Sequence, residues 1–228
     1  MATVTFLGHA CFEIRSGGTT LIVDPFLSGN PKAEAKPADI KADYVLVTHG
    51  HGDHWGDTEE IARTNDATVI GCYELASYAG AKGLKTHALH IGGGHDFPFG
   101  RVQMTSALHG TGADAAAQVY TGTAGGFLIT VGGKTIYHAG DTALTYDMKL
   151  LGDFHKVDLA LLPIGDNFTM GIADAVRAVG FIKPRTVVPM HYGTFEIIDV
   201  DPEEFAAEVR KQTTSIPAVL HVGDSLEI

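Results

Sequence analysis

The sequence predicts a layered α/β domain built from two similar βα halves, with helices on the outside. Three observations carry that reading. Each half opens on β-branched or aromatic runs punctuated by glycine, then passes into strand–helix alternation. Hydrophobic residues make up 45% of the 228, enough for a sizeable core. Glycine, with 28 residues, supplies the tight turns and close backbone approaches that such packing needs. No linker, low-complexity tract or residue-level repeat interrupts the chain, so residues 1–228 read as one domain.

The elements follow in order. "TVTFLGH", "CFEIRS" and "TTLIVDP" are strands separated by Gly-Gly and Asp-Pro signals. Residues 28–41 form a polar, Pro-containing loop, and "DYVLVT" (43–48) is an apolar run suited to burial on both faces. "GDTEEIARTN" and "YELASYAGAKG" read as helices, with "ATVIG" and "KTHALHI" as the strands that alternate with them. The second half opens on three strands, "RVQMTSALHG", "GGFLITVGG" and "KTIYHAGD", the first two joined by the small-residue loop "TGADAAAQVYTGTA". Alternation then returns: helix "YDMKLLGDF", strand "VDLALLPIG", helix "IADAVRAVGFI", strand "TVVPMH", helix "PEEFAAEVRKQ" and strand "PAVLHV". Pro202 behind Asp201 marks a helix start with an N-cap.

Composition excludes several classes. A formal net charge of -11 argues against a nucleic-acid surface. The two cysteines, Cys11 and Cys72, build no disulfide framework and read as small buried hydrophobes. The N-terminus shows neither a basic n-region nor an apolar h-region, and no apolar run approaches a membrane span of ~18 residues, so a cytoplasmic protein with no membrane partner is expected.

The chemistry concentrates in "YVLVTHGHGDHWGD", residues 44–57. His49, His51, Asp53 and His54 follow a strand, where the sheet fixes the backbone and the loop aims the side chains. Packing gives no reason for histidines alternating with glycine, and metal ligation does. Gly50 and Gly52 are expected to let the chain turn tightly, while Asp57 reads as a turn or helix cap. The missing partners lie at other strand ends: His109 after "VQMTSAL", Asp141 after "KTIYHAG" and His191 after "TVVPM". These seven N/O donors make a two-metal set, with His49, His51 and His109 on one ion, Asp53, His54 and His191 on the other, and Asp141 bridging. A closed structural zinc site does not fit, because no cysteine lies near and the donors are too many for one four-coordinate ion. Imidazole and carboxylate suit zinc best, with manganese, iron, cobalt and nickel open. His87, His90, His95, His155 and His221 read as ordinary core or surface residues.

"THGHGDH", with "FLGHACFEI", "LIVDPFLSGN", "YHAGDT", "LLPIGDNFTMG" and "VVPMHYGTF", resembles the metallo-β-lactamase superfamily, and within it the small UPF0173-type metal-dependent hydrolases. The resemblance spans nearly the whole chain. It implies a four-layer αββα sandwich with the metals at the loop edges of the two sheets. One segment departs from it: "HGTGAD" follows the third ligand where a Ser-rich stretch is expected, which leaves the substrate rim open. The implied activity is hydrolysis by a metal-bound hydroxide attacking a carbonyl or phosphoryl centre of a small-molecule ester, lactone, thioester or phosphodiester. Asp53 is the expected catalytic carboxylate, orienting the hydroxide or passing its proton, with a metal-only role as the milder reading. Asp24 resembles the family's structural carboxylate behind the ligands, against a simple turn cap before Pro25. His9 matches a family position near the site and is open to substrate contact or packing. Asn167 and Tyr192 are candidate substrate contacts, and Phe168 and Met170 a candidate apolar wall. Iron-dependent redox chemistry and a non-catalytic metal-binding module are the alternatives, and a homo-oligomer is compatible with all three.

Overall fold

The computed structural model describes residues 1–113 and 119–228. Strands β1 (Thr3–Gly8), β2 (Cys11–Ser16) and β3 (Thr19–Val23) form an antiparallel meander. The chain then switches to parallel pairing through β4 (Tyr44–Leu46), β5 (Thr68–Cys72) and β6 (Lys85–Leu89). Three helices accompany that switch: the single turn α1 (Gly52–Trp55), then α2 (Thr58–Asn65) and α3 (Tyr73–Ala81).

The second half repeats the plan. β7 (Gly94–Phe97), β8 (Gly100–Ser106), β9 (Gly125–Val131) and β10 (Lys134–His138) are antiparallel. β11 (Leu159–Pro163), β12 (Thr186–Met190) and β13 (Ile216–Pro217) are parallel, with α4 (Asp147–Phe154), α5 (Ile172–Ile182) and α6 (Pro202–Gln212) in the crossovers. A last strand, β14 (Ser225–Glu227), returns to pair with β1. Two seven-stranded sheets result, ordered β14-β1-β2-β3-β4-β5-β6 and β13-β12-β11-β10-β9-β8-β7.

Strand alternation separates the layers. Leu159 and Leu161 belong to the cluster that joins the two sheets, while Ala160 and Leu162 face α5 and α6, where they meet Ala175, Val179, Phe205 and Val209. On the other side, Ile61 of α2 and Leu75 of α3 close over the first sheet. The αββα order is therefore set by which side of each strand carries the apolar residues. Asp201 caps α6, its carboxylate accepting from Glu203 N at 2.9 Å.

Three elements differ from expectation. β7 and β14 are polar, exposed edge strands with no apolar signal to mark them. "PAVLHV" is not a strand throughout; only Ile216–Pro217 pairs with β12. That segment has to leave the second sheet and reach β14 on the first. Its apolar residues Ala218, Leu220 and Val222 pack against the inter-sheet core as it crosses. Part of the small-residue loop, residues 114–118, lies outside the described residues, and the bridge Ala113–Val119 flanks it. Among the described residues, no helix is long and apolar enough to cross a membrane.

Candidate metal centre

The site lies where the C-terminal ends of the parallel strands meet the loops, the usual position for a ligand in an open α/β sheet. Past β4, Val47 still bonds to Ile70, and the chain then enters the histidine loop. Neither Gly50 nor Gly52 has a positive φ; Gly52 opens the single turn of α1. Gly50 is instead a close approach: a Cβ there would stand 2.3 Å from Thr121 Oγ1. The contact is sealed by Gly50 N donating to Thr111 Oγ1 (3.0 Å), which lies 2.8 Å from Thr121 Oγ1. The α1 turn then presents Asp53 and His54, and Gly56, at φ 40°, turns the chain against the Pro25 carbonyl. Asp57 belongs to none of the potential metal-ligand groups; its carboxylate accepts from Leu27 N and Ser28 N, both at 2.8 Å, and pins the loop after Asp24.

All seven sequence-derived donors converge. His49, His51 and His109 form one group whose ligand atoms lie within 4.8 Å of one another; Asp53, His54 and His191 fall in a second such group, together with His9. Asp141 stands between them. Its Oδ2 is 3.0 Å from His191 Nε2, 3.3 Å from His54 Nε2 and 3.6 Å from His109 Nε2. His49, His54, Asp141 and His191 are buried, and Asp53, with 30% of its side chain exposed, faces outward.

The donors are aimed by a layer behind them. Asp24 Oδ1 accepts from Thr48 N (2.8 Å), and its Oδ2 accepts from both the Thr48 hydroxyl (2.7 Å) and His54 Nδ1 (2.8 Å). The Thr48 proton is thereby committed. The 3.0 Å contact between Thr48 Oγ1 and His49 Nδ1 must then be donated by the imidazole. One carboxylate thus sets which nitrogen of two candidate ligands, His49 and His54, is left to face the site, Nε2 in each. His9 has a comparable duty: Nε2 donates to Asp53 Oδ2 at 3.2 Å and Nδ1 meets Thr194 Oγ1 at 2.9 Å. Burial pulls the His9 imidazole down to about 4 despite that bond to Asp53, so it is a neutral brace. His9, Asp24 and His191 all adopt left-handed backbone, with φ of 58°, 47° and 55°, the kind of strain that the surroundings of a functional site can hold. His191 N donates to the His9 carbonyl at 2.8 Å, tying the halves together at the centre. His138, which the sequence reading passed over, is also buried behind the site, its Nε2 2.9 Å from the Ala10 carbonyl. The only signal for it was its place at the end of a strand.

The electrostatics ask for cations. Burial would lower His54 and raise Asp141, yet their mutual attraction wins: His54 is held well above the usual imidazole range and Asp141 well below the usual carboxylate range. Burial likewise opposes the charges on His191 and Asp53; Asp141 and Asp53 keep the first raised, and the neighbouring imidazoles of His191, His9 and His54 keep the second low. His49, buried and beside His54, is pushed well below its ordinary value. His54 Nε2, Asp141 Oδ1 and both ring nitrogens of His191 are buried without a hydrogen-bond partner. Such orphaned groups are costly unless something binds them. An imidazole and carboxylate set with these unpartnered atoms fits divalent ions of the zinc type.

In front of the donors is a cleft of about 250 Å³ lined by His51, Asp53, His109, Asp141, Phe168 and His191. Phe168 stands where the sequence placed it. Met170 does not; it is buried in the core behind α5. The three expected substrate contacts are not among those lining residues. His9 and Tyr192 border a second cleft, of about 290 Å³, on the far side of His9. Burial pushes the Tyr192 phenol up to about 12. Asn167 is exposed on the turn that carries Phe168. Adjacency to a ligand in sequence does not fix direction: Tyr192 follows His191 at a left-handed residue, which turns the next side chain away.

This fold and this convergence define a metallo-β-lactamase-like protein, and the β-lactamase superfamily domain matches residues 3–191. Within that class the chain belongs to the UPF0173 metal-dependent hydrolase family. It is 50% identical over 228 residues to the member from Bacillus cytotoxicus, covering 99% of both chains. The Bacillus pumilus member is 51% identical over 227 residues, covering 98% of this chain and 99% of that one. Among solved structures, Igni18, a metallo hydrolase from the hyperthermophilic archaeon Ignicoccus hospitalis, is similar with a TM-score of 0.91 and 32% identity, covering 100% of this chain and 99% of that one.

Proposed function

We propose that this metal-dependent hydrolase works with two divalent ions, held by His49, His51 and His109 on one side and by Asp53, His54 and His191 on the other, with Asp141 shared. The observation that carries the reading is Asp141 Oδ2, within 3.6 Å of ring nitrogens from both groups, His109 in the first and His54 and His191 in the second. When bound, such ions supply water whose pKa is lowered to roughly 7 and a Lewis acid for a carbonyl or phosphoryl oxygen.

The protein's own groups do the rest. Asp24, through Thr48 and His54, fixes which imidazole nitrogens face the site. Asp53, braced at Oδ2 by His9 and open to the cleft, is the carboxylate that would orient the attacking water and pass its proton to the leaving group. The substrate is a small molecule carrying an ester, lactone, thioester or phosphodiester bond. The test is a panel of those bonds assayed on protein loaded with zinc, manganese, iron, cobalt or nickel in turn, with metal content measured alongside. Activity should track about two bound ions per chain and disappear in His49→Ala. Turnover that survives in that variant, or is indifferent to chelation, would overturn the proposal.

A further inference from the structure

We infer that the cleft selects substrates whose groups flanking the scissile bond are uncharged and apolar, seated against Phe168. The inference rests on the hydrolase reading and names the substrate class of that same site.

One large apolar side chain lines the donor cleft and remains open to solvent: Phe168 is 54% exposed. Single exposed hydrophobics are ordinary. This one is anchored beside a proposed ligand, which is not. Two residues on, Met170 N donates to the Thr142 carbonyl at 3.0 Å. Thr142 follows Asp141 directly, so the loop bearing Phe168 is clamped to the residue next to the bridging carboxylate.

The Phe168 turn is also preset. Asp166 and Asn167 take left-handed backbone (φ 59° and 39°), and Thr169 N closes the turn onto the Asp166 carbonyl at 2.9 Å. Met170, 2% exposed, roots it in the core. The ring at the tip is therefore held beside the cleft before any substrate arrives.

Charge points the same way. Among the described residues, no lysine or arginine lines the cleft, and Phe168 is its one lining side chain that is neither His nor Asp. The exposed Asp166 sits at the base of the Phe168 turn, in a chain of net charge -11. A negative charge at the reacting centre meets the ions. An anionic group farther out on the substrate meets an aromatic ring and a carboxylate, and would lose its water without gaining a cation.

The experiment uses two esters of equal chain length on the full, zinc-loaded protein: para-nitrophenyl hexanoate and the para-nitrophenyl monoester of adipic acid. kcat/KM should be at least about tenfold higher for the neutral ester, a discrimination within reach of one pocket contact. Phe168→Ala should collapse that ratio towards one and Phe168→Leu should keep most of it, both with unchanged zinc content. A binding arm removes dependence on the bond chosen: hexananilide and its ω-carboxylate analogue, titrated by calorimetry, should differ in the same direction, and only in protein that retains Phe168. If neither ester is cleaved but the anilides discriminate, the ester-hydrolase reading fails and the apolar rim stands. An adipate ester or carboxylate anilide handled as well as its neutral partner overturns the inference, as does a ratio indifferent to Phe168→Ala.

Discussion

The two halves share one plan and use it differently. In the first sheet the antiparallel meander gives way to parallel pairing at β3, and in the second at β10. By position in the sheet order β1 matches β8, β3 matches β10 and β5 matches β12. A histidine follows each strand of the first pair, His9 and His109, and an aspartate follows each of the second, Asp24 and Asp141. Equivalent places thus carry the same chemistry, yet His109 and Asp141 face the centre while His9 and Asp24 stand behind it and hold Asp53, His54 and Thr48. The first half concentrates its donors in the loop after β4. The second contributes one donor per strand end, and its loop after β11 carries Phe168 in place of a ligand. One half supplies most of the charge-bearing side chains and their braces; the other supplies the carboxylate that stands between the donor groups and the aromatic ring that lines the cleft.

The equivalent aspartates give the sharpest way to break that comparison. Asp141→Ala removes the only carboxylate, among the described residues, within 4 Å of ring nitrogens from both donor groups and should cause the largest effect: loss of at least one ion by elemental analysis, loss of the hydrolytic activity, and a melting temperature no longer raised by added zinc. Asp24→Asn keeps size and shape but removes the acceptor that fixes His54 and, through Thr48, His49. Its metal affinity should fall by about 10–100-fold, read by competition with a chromogenic chelator, with the parent's metal content still reached in excess zinc. If the two variants lose metal equally, the division between holding and bracing is wrong.

That division was only partly legible in the sequence. The loop after β4 announces itself because ligand side chains and glycines crowd into a few positions, a local signal. His109, Asp141 and His191 could be found because each closes an apolar run, and a strand end is visible in the pattern of residue types. What the braces do was not visible. The Asp24–Thr48–His49 chain depends on which proton is already committed, and the His9–Asp53 contact spans 44 positions in sequence. Direction was the other loss. Tyr192 and Asn167 sit beside telling residues, but left-handed backbone at His191, Asp166 and Asn167 decides where their neighbours point. The fold was legible where alternation buries one side of a strand, and illegible where pairing is polar, as in β7 and β14, or where an apolar segment must cross between sheets, as at "PAVLHV".

The glycines offer the mildest test of the same contrast, between a loop of the first half built around contact and a helix of the second built around propensity. Gly50→Ala puts a methyl group 2.3 Å from Thr121 Oγ1, against side-chain atoms that themselves hold Thr111 and the backbone of the histidine loop. Overpacking there should destabilise the protein by ~1–3 kcal/mol and weaken metal binding with it, because His49 and His51 flank the displaced residue. Gly180 lies exposed in α5, at a φ that is not positive, and a Cβ there meets nothing within 4 Å. Gly180→Ala should raise stability by ~0.5–1 kcal/mol, because the substitution narrows the unfolded ensemble and suits the helix, and should leave metal affinity and activity where they were. Denaturant melts of both variants with and without zinc separate the two cases: a Gly50→Ala protein as stable as the parent would mean that the Thr121 contact yields freely, and that the tight seal between the histidine loop and its neighbour is not what orients the first three donors.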